Sequence, residues 1–411
     1  MKLRVVFVLL LLLLSTACKN DLPHPASDAA DSASTAGESP DVASLAHLQT
    51  EQIDTTSPEE TVSIHESVPE TEYIPVPTEP EPYMDVNAVG KTVVHVPGPV
   101  DSRPAYDYCF QPYAFSSIYS MAYGESIAEE IRGFCDAVLA GEDSFPCTGF
   151  ENWLHIDQIK NDVLPICYYV SVYDPNIQSG FLYDESKLQN GRYPLYYQLP
   201  KEEYLATVAQ FKTRIAELIS QADLREGDSD LEKAMKLYTA SSLRIAYDYS
   251  DSGSNYVLRV LMDDYGICQE IAPAYAYLLL QVGVDAGICG SLAKDNSFAH
   301  AWTLVKIDGK WYHADVTWQL SEPYSLRYFL IDDNDRDQSN LDVEYLNIGE
   351  INELWHKDLP IDDDSYSELW NVRWYEIDHS RGCISYYEDP YLDYYDLSVY
   401  QLERKSFSLE K

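Results

Sequence analysis

Positive charge is scarce in this chain: 28 lysines and arginines stand against 68 aspartates and glutamates, for a formal net charge of -40. Such a chain cannot supply the basic footprint that a phosphate backbone demands, so nucleic-acid binding is excluded. Electrostatic adhesion to anionic lipid is excluded for the same reason. Long apolar runs are nearly as scarce. Residues 5–14 form one, too short for a stable span, and no second run is long enough to cross a bilayer. There is no phosphate-binding P-loop, no dinucleotide glycine fingerprint and no metalloprotease helix. The cysteines match no zinc spacing, so neither a metal nor a cofactor is expected. The acidity itself reads as solubility and reduced self-association outside the cell.

The first hundred residues lack a different thing, aromatic side chains. Between Lys19 and Arg103 only Tyr73 and Tyr83 are aromatic, while half of the 22 prolines fall there among many Ser, Thr, Asp and Glu. That composition cannot bury enough apolar surface to offset chain entropy, which predicts a disordered stalk over 18–105. Ahead of it, Met1-Lys2-Leu3-Arg4, the apolar run and Ser15-Thr16-Ala17 describe a secretory signal over 1–17. Cys18, directly after small residues, resembles the lipidated cysteine of bacterial lipoproteins, with Ser15 a departure from that pattern. The expectation is an exported protein tethered by Cys18 to the outer face of a bacterial membrane.

Setting aside Cys18 and Cys268, the six cysteines Cys109, Cys135, Cys147, Cys167, Cys289 and Cys383 permit three bridges in an oxidising compartment. Cys135 shares an apolar helical face with Ile127, Ile131 and Val138, which suits a buried thiol equally well.

The tyrosine-rich remainder carries the periodicities of a folded protein. Residues 125–139 read as an amphipathic helix stopped near Gly141, and Tyr204, Val208, Phe211, Ile215 and Leu218 mark another. Ser229 with Glu232 forms a capping box for a third. Strands are predicted over 165–173, 192–199 and 327–331, helical residues near 348–355, and tyrosine-rich strands thereafter. Asp333, Asp335, Asp337 and Glu344 sit at calcium-loop positions, but Gln338 replaces the needed glycine and a strand precedes, so a solvated acidic loop is the reading.

The chemistry concentrates in about fifty residues. In Tyr265-Gly266-Ile267-Cys268-Gln269-Glu270 a glycine turn leads into an apolar helical pattern, placing Cys268 at a helix N-terminus, where the dipole and unpaired amides favour a thiolate. Two alternating runs, 301–307 and 310–317, are joined by Asp308-Gly309, a type I′ turn signal. That turn pairs Ile307 with Lys310 and, stepping back, Trp302 with Asp315. His300 then projects from the same face as Asp315, diagonal to it. A carboxylate there can hold one imidazole nitrogen while the other faces the thiol: a nucleophile, base and orienter. His313 shares that face and competes as a base, but lies next along the Asp315 strand.

Those segments, with Ala299-His300-Ala301-Trp302 and 308–318, resemble the bacterial transglutaminase-like (transglutaminase/protease) superfamily, closely over 255–320 and weakly from 200. The resemblance implies Cys268 as nucleophile, His300 as base and Asp315 as orienter. It implies an α+β fold: a papain-like core at 226–345, its nucleophile helix packed on an antiparallel sheet, between an N-terminal α/β extension at 106–225 and a β-rich segment at 346–411. Pro273 inside the nucleophile helix departs from the pattern by removing an amide. The expected function is a cell-surface cysteine enzyme cleaving amide bonds of peptide or protein substrates through a thioester. The alternatives are cross-linking by acyl transfer and an idle binding module. Oligomeric state is left open.

Overall fold

The computed structural model describes residues 101–176, 183–250, 256–292, 299–320, 322–337, 359–388 and 404–409, together with the backbone of 83–85, 93–95, 346–347 and 353–354. The signal segment and Cys18 lie outside the described residues.

A four-stranded antiparallel sheet forms the centre. Its strands are β1 (Ala286–Leu292), β2 (Ala299–Ile307), β3 (Lys310–Ala314) and β4 (Phe329–Ile331), side by side in chain order. The hairpin turn is as predicted: Asp308 and Gly309 take φ of 52° and 80°, and Ile307 pairs with Lys310. The helix Cys268–Gln281, opened by the predicted nucleophile, packs on β2. Pro273 does not interrupt it. The helix Asp230–Arg244, capped by Ser229 and Glu232 in a full capping box, packs beside it.

The extension is mostly helical. Ile127–Ala140 ends on left-handed Gly141, and the 21-residue helix Lys201–Gln221 buries the predicted stripe of Tyr204, Val208, Phe211, Ile215 and Leu218. Gln281, closing the helix Cys268–Gln281, accepts from the Gln111 amide at 3.0 Å and donates to its carbonyl at 2.9 Å, tying the extension to the core. At the other end, the antiparallel hairpin of Val372–Asp378 and Cys383–Glu388 docks through Tyr375, whose hydroxyl meets Thr239 and the Met235 carbonyl. One continuous apolar core runs from Ile118 to Phe407.

Several sequence expectations are corrected. Residues 165–169 form a 3-10 helix, Pro165–Tyr169, with only Val170–Ser171 extended; Pro165 at the first position favours a helical turn over a ladder that needs its amide. The segment 192–199 splits into Arg192–Pro194 and Tyr196–Tyr197. Backbone in the predicted helical stretch 348–355 includes the strand Glu353–Leu354, paired with Leu346–Asn347. The boundary of the stalk at 105 also falls too late. Arg103 pairs with Asp101 and with Asp228 at 2.6 Å, at the start of Asp230–Arg244, and meets His379 of the C-terminal hairpin at 2.8 Å. Earlier still, Tyr83–Asp85 pairs with Val93–His95. The bridges that the cysteine count permits are not formed: all six are free thiols, five of them buried as small apolar side chains and Cys109 exposed.

Candidate active site

Cys268 is presented by a turn that the chain holds from several sides. The parallel bridge of Ala246–Tyr247 with Tyr265–Gly266 brings the chain to Ile267, and Cys268 opens the helix behind it. Ile267 has no side-chain acceptor, so only half of a capping box exists: the Glu270 carboxylate reaches back to the Ile267 amide at 2.9 Å. The same carboxylate accepts from the Tyr256 amide at 3.0 Å and pairs with Arg259. Arg259 also binds Asp248 at 2.8 Å, and Asp248 accepts from the Tyr265 hydroxyl at 2.6 Å. Gly266 is required here because a Cβ would come within 2.5 Å of Val260 and 2.8 Å of the Glu270 carboxylate. Two residues earlier, left-handed Asp264 receives Arg214 at 2.6 and 2.7 Å and pairs with Arg244.

His300 comes from β2, opposite Ser291 of β1. Its Nε2 lies 2.6 Å from Asp315 Oδ2, which leaves Nδ1 for the hydrogen bond with Cys268. All three predicted site residues are therefore brought together. The path to Asp315 differs from the register argument, however. The β2–β3 ladder follows the prediction only as far as Thr303 with Ala314, and Asp315 leaves it to cap the short helix Val316–Gln319. Its Oδ1 accepts from the Trp318 amide at 3.0 Å, its own amide donates to the Tyr328 carbonyl at 2.8 Å, and its carbonyl accepts from Tyr238 at 3.0 Å. Capping turns the carboxylate back toward His300, so the pair meets directly instead of diagonally.

The site is dry. Cys268 is 1% exposed, His300 3% and Asp315 0%. Burial works to lower the His300 pKa, but the charge and hydrogen bond of Asp315, with the hydrogen bond to Cys268, outweigh it and lift the imidazole to about 9. For Asp315, burial acts upward and is overcome by the His300 charge and hydrogen bond, the Arg336 charge and the Trp318 amide, so it stays ionised. A buried imidazolium against a carboxylate and a thiol is the arrangement that yields a thiolate.

His313 is held by other partners. The Trp302 indole N–H donates to His313 Nδ1 at 2.8 Å, so that nitrogen is unprotonated, and Nε2 faces Asp333 at 3.0 Å. Burial, with the Arg336 charge, lowers its pKa despite Asp333. The acidic run is not simply solvated, since Asp333 supports His313 and the Ile361 amide, and buried Asp332 caps the Asp335 amide at 2.7 Å. Sequence reasoning also missed Glu270, whose signal was its place three residues after Ile267, and Arg336, which donates to Asp315 Oδ2 at 3.1 Å and had no local signal at all.

Among the described residues, Asp101, Asp228 and His379 lie close enough to share a metal ion. Arg103 and Lys236 already neutralise Asp228 at 2.6 and 2.8 Å, so the cluster is an ion-pair knot fastening the segment before Pro104.

Residues 219–316 match the family described as the transglutaminase-like superfamily, from the last turn of helix Lys201–Gln221 to just past Asp315. No curated protein matches the chain. Among solved structures, it is similar to a TGase (19% identity, 29% of this chain and 34% of that one, TM-score 0.24). It is also similar to a candidate cysteine protease from Cytophaga hutchinsonii (14% identity, 37% of this chain and 45% of that one, TM-score 0.24). The chain thus spans less than half the length of either structure. Residues 219–316 of this protein are a transglutaminase-like domain.

Proposed function

We propose that this protein is a cysteine enzyme that acts on amide bonds of peptides or proteins through a thioester, with hydrolysis as its outcome. The observation that carries the reading is the convergence of Cys268, at the first position of its helix, with a His300 that bonds both the thiol and Asp315. Cys268 and His300 exchange one proton to form thiolate and imidazolium. The thiolate attacks the carbonyl carbon, and the oxyanion forms beside the amides that open the helix. Collapse breaks the C–N bond as the imidazolium gives its proton to the leaving amine. Water then attacks the thioester, yields its proton to His300, and releases the acid and the thiol. Asp315 holds the tautomer and stabilises the imidazolium throughout.

Acyl transfer to a lysine amine uses the same first half, and an acceptor amine in place of water is the whole difference. The exported, Cys18-anchored placement belongs to this reading too, with the segment after Cys18 as a tether.

Labelling with iodoacetamide over roughly pH 5 to 10, followed by peptide mapping, tests the reading. Selective modification of Cys268 well below pH 8 is expected. Equal reaction at Cys135 or Cys289 in the folded protein would refute it, because burial pushes both of those thiols upward.

A further inference from the structure

Arg336 is wholly buried beside the site, and no step above uses it. It lies in the short helix Asp333–Asp337 after β4, within an acidic run, yet its side chain turns inward. Its Nη1 donates to Asp315 Oδ2, the oxygen already bonded to His300 Nε2. The guanidinium carbon lies 3.9 Å from the centroid of the Trp302 ring and 4.4 Å from that of Trp318. His300 stacks with the same two indoles at 5.7 and 5.0 Å. Two planar groups, each able to carry positive charge, thus share one slot and converge on a single carboxylate oxygen. A buried guanidinium is weak evidence for stability, since well-packed apolar residues replace such pairs at little or no loss.

We propose that Arg336 is a positioning residue for the Cys268–His300 couple: its fixed charge holds Asp315 in place and sets the pH window in which thiolate and imidazolium coexist. This rests on the cysteine-enzyme reading. In the reactive state the thiolate, imidazolium and Asp315 carboxylate leave the dry site with a net negative charge, which Arg336 brings to zero. A fixed positive charge also lowers proton affinity around it. It favours loss of the thiol proton, and it draws on part of the Asp315 charge that would otherwise tighten the imidazolium. Removing that charge should move both titrations upward.

The other groups facing this slot are the same in every variant compared, so they cancel. From the strands they are His313, held neutral, and Cys289, pushed up by burial. From the neighbouring segments they are Tyr238 and Tyr328, also raised by burial, and Asp332, Asp333 and Asp335 with Arg327 near the last.

The test compares the parent protein with Arg336→Gln, which keeps a donor to Asp315 without the charge, and Arg336→Lys, which keeps the charge without the planar stack. The readouts are the pH profile of Cys268 alkylation by iodoacetamide and the His300 ring titration followed by NMR. Arg336→Gln should shift both limbs and the His300 titration upward by about one pH unit, while Arg336→Lys should leave them within about 0.3 units and lower only the plateau rate. Unmoved limbs in Arg336→Gln, or equal shifts in both variants, would overturn the proposal and leave Arg336 a structural prop. Should Arg336→Gln not fold, Arg336→Met serves as the neutral variant under the same criterion. A parent protein with no reactive window at Cys268 would sink the cysteine-enzyme reading and this inference with it; limbs that are present but immovable sink the inference alone.

Discussion

His300 and His313 invite comparison because so much about them is alike. Each is buried on the same face of neighbouring strands, each faces an aspartate, and each lies against Trp302. Yet one is lifted to about 9 and the other is lowered. The difference lies in the second nitrogen. An indole N–H can only donate, so Trp302 forces His313 Nδ1 to accept and keeps the ring neutral. His300 has a carboxylate on one side and a thiol on the other, and both reward a proton on the ring. Burial alone therefore does not tell the two rings apart; the partner of the second nitrogen does.

The largest effect should come from breaking the reactive member of the pair. His300→Ala removes proton transfer and thiolate pairing, so turnover is expected to fall by about 10²–10⁴-fold, with alkylation of Cys268 at neutral pH lost as well. Activity retained in His300→Ala but abolished in His313→Ala would reverse the assignment. Asp315→Asn should come next. It preserves shape but can hold the wrong tautomer and no longer stabilises the imidazolium, so steady-state rates should drop substantially yet less than for His300→Ala. A greater loss for Asp315→Asn would place it beyond an orienting role.

His313→Ala should separate structure from chemistry. It leaves the buried Trp302 indole without its acceptor and opens a void, at a cost of about 2–4 kcal/mol in denaturant unfolding, with turnover within several-fold of the parent. A neutral stability change would contradict the tight packing seen around this ring. The smallest effect is in the pH dependence of stability, where the two histidines act in opposite senses. The lowered pKa of His313 makes the unfolded chain bind the extra proton, so stability should decline as pH falls below about 6.5. The raised pKa of His300 contributes stability that is complete below about 6.5 and is lost as pH rises through about 9. Melts across pH on His313→Ala should flatten the acid side and leave the alkaline side; loss of the alkaline slope instead would mean the two rings were confused.

Much of this site was legible because its determinants are local. Asp308-Gly309 can form the observed turn at small conformational cost, and that turn sets the pairing from Ile307 with Lys310 to Thr303 with Ala314. The Ser229–Glu232 box and the left-handed stop at Gly141 are likewise contacts within a few residues. The reading failed where a local rule met a competing one. Residues 165–173 look like a strand by composition, but Pro165 cannot donate to a ladder and starts a 3-10 turn. Asp315 continues the alternation on paper, but a carboxylate before Val316–Gln319 is worth more as a cap.

By itself, then, the sequence determined the positions of Cys268, His300 and Asp315, the helix and hairpin that carry them, and their order, because caps, turns and periodicity act over a few residues. Tertiary structure decided the rest. Arg336 reaches Asp315 from 21 residues away in the chain, through a slot whose walls are Trp302 of β2 and Trp318 of the short helix that Asp315 caps. Glu270 becomes a clamp only because Arg259 and the Tyr256 amide fold back onto it. His313 is held neutral by burial and the Arg336 charge, with an indole from the neighbouring strand donating to its Nδ1. Charge states in a dry interior depend on which groups share the space, and no spacing along the chain records that.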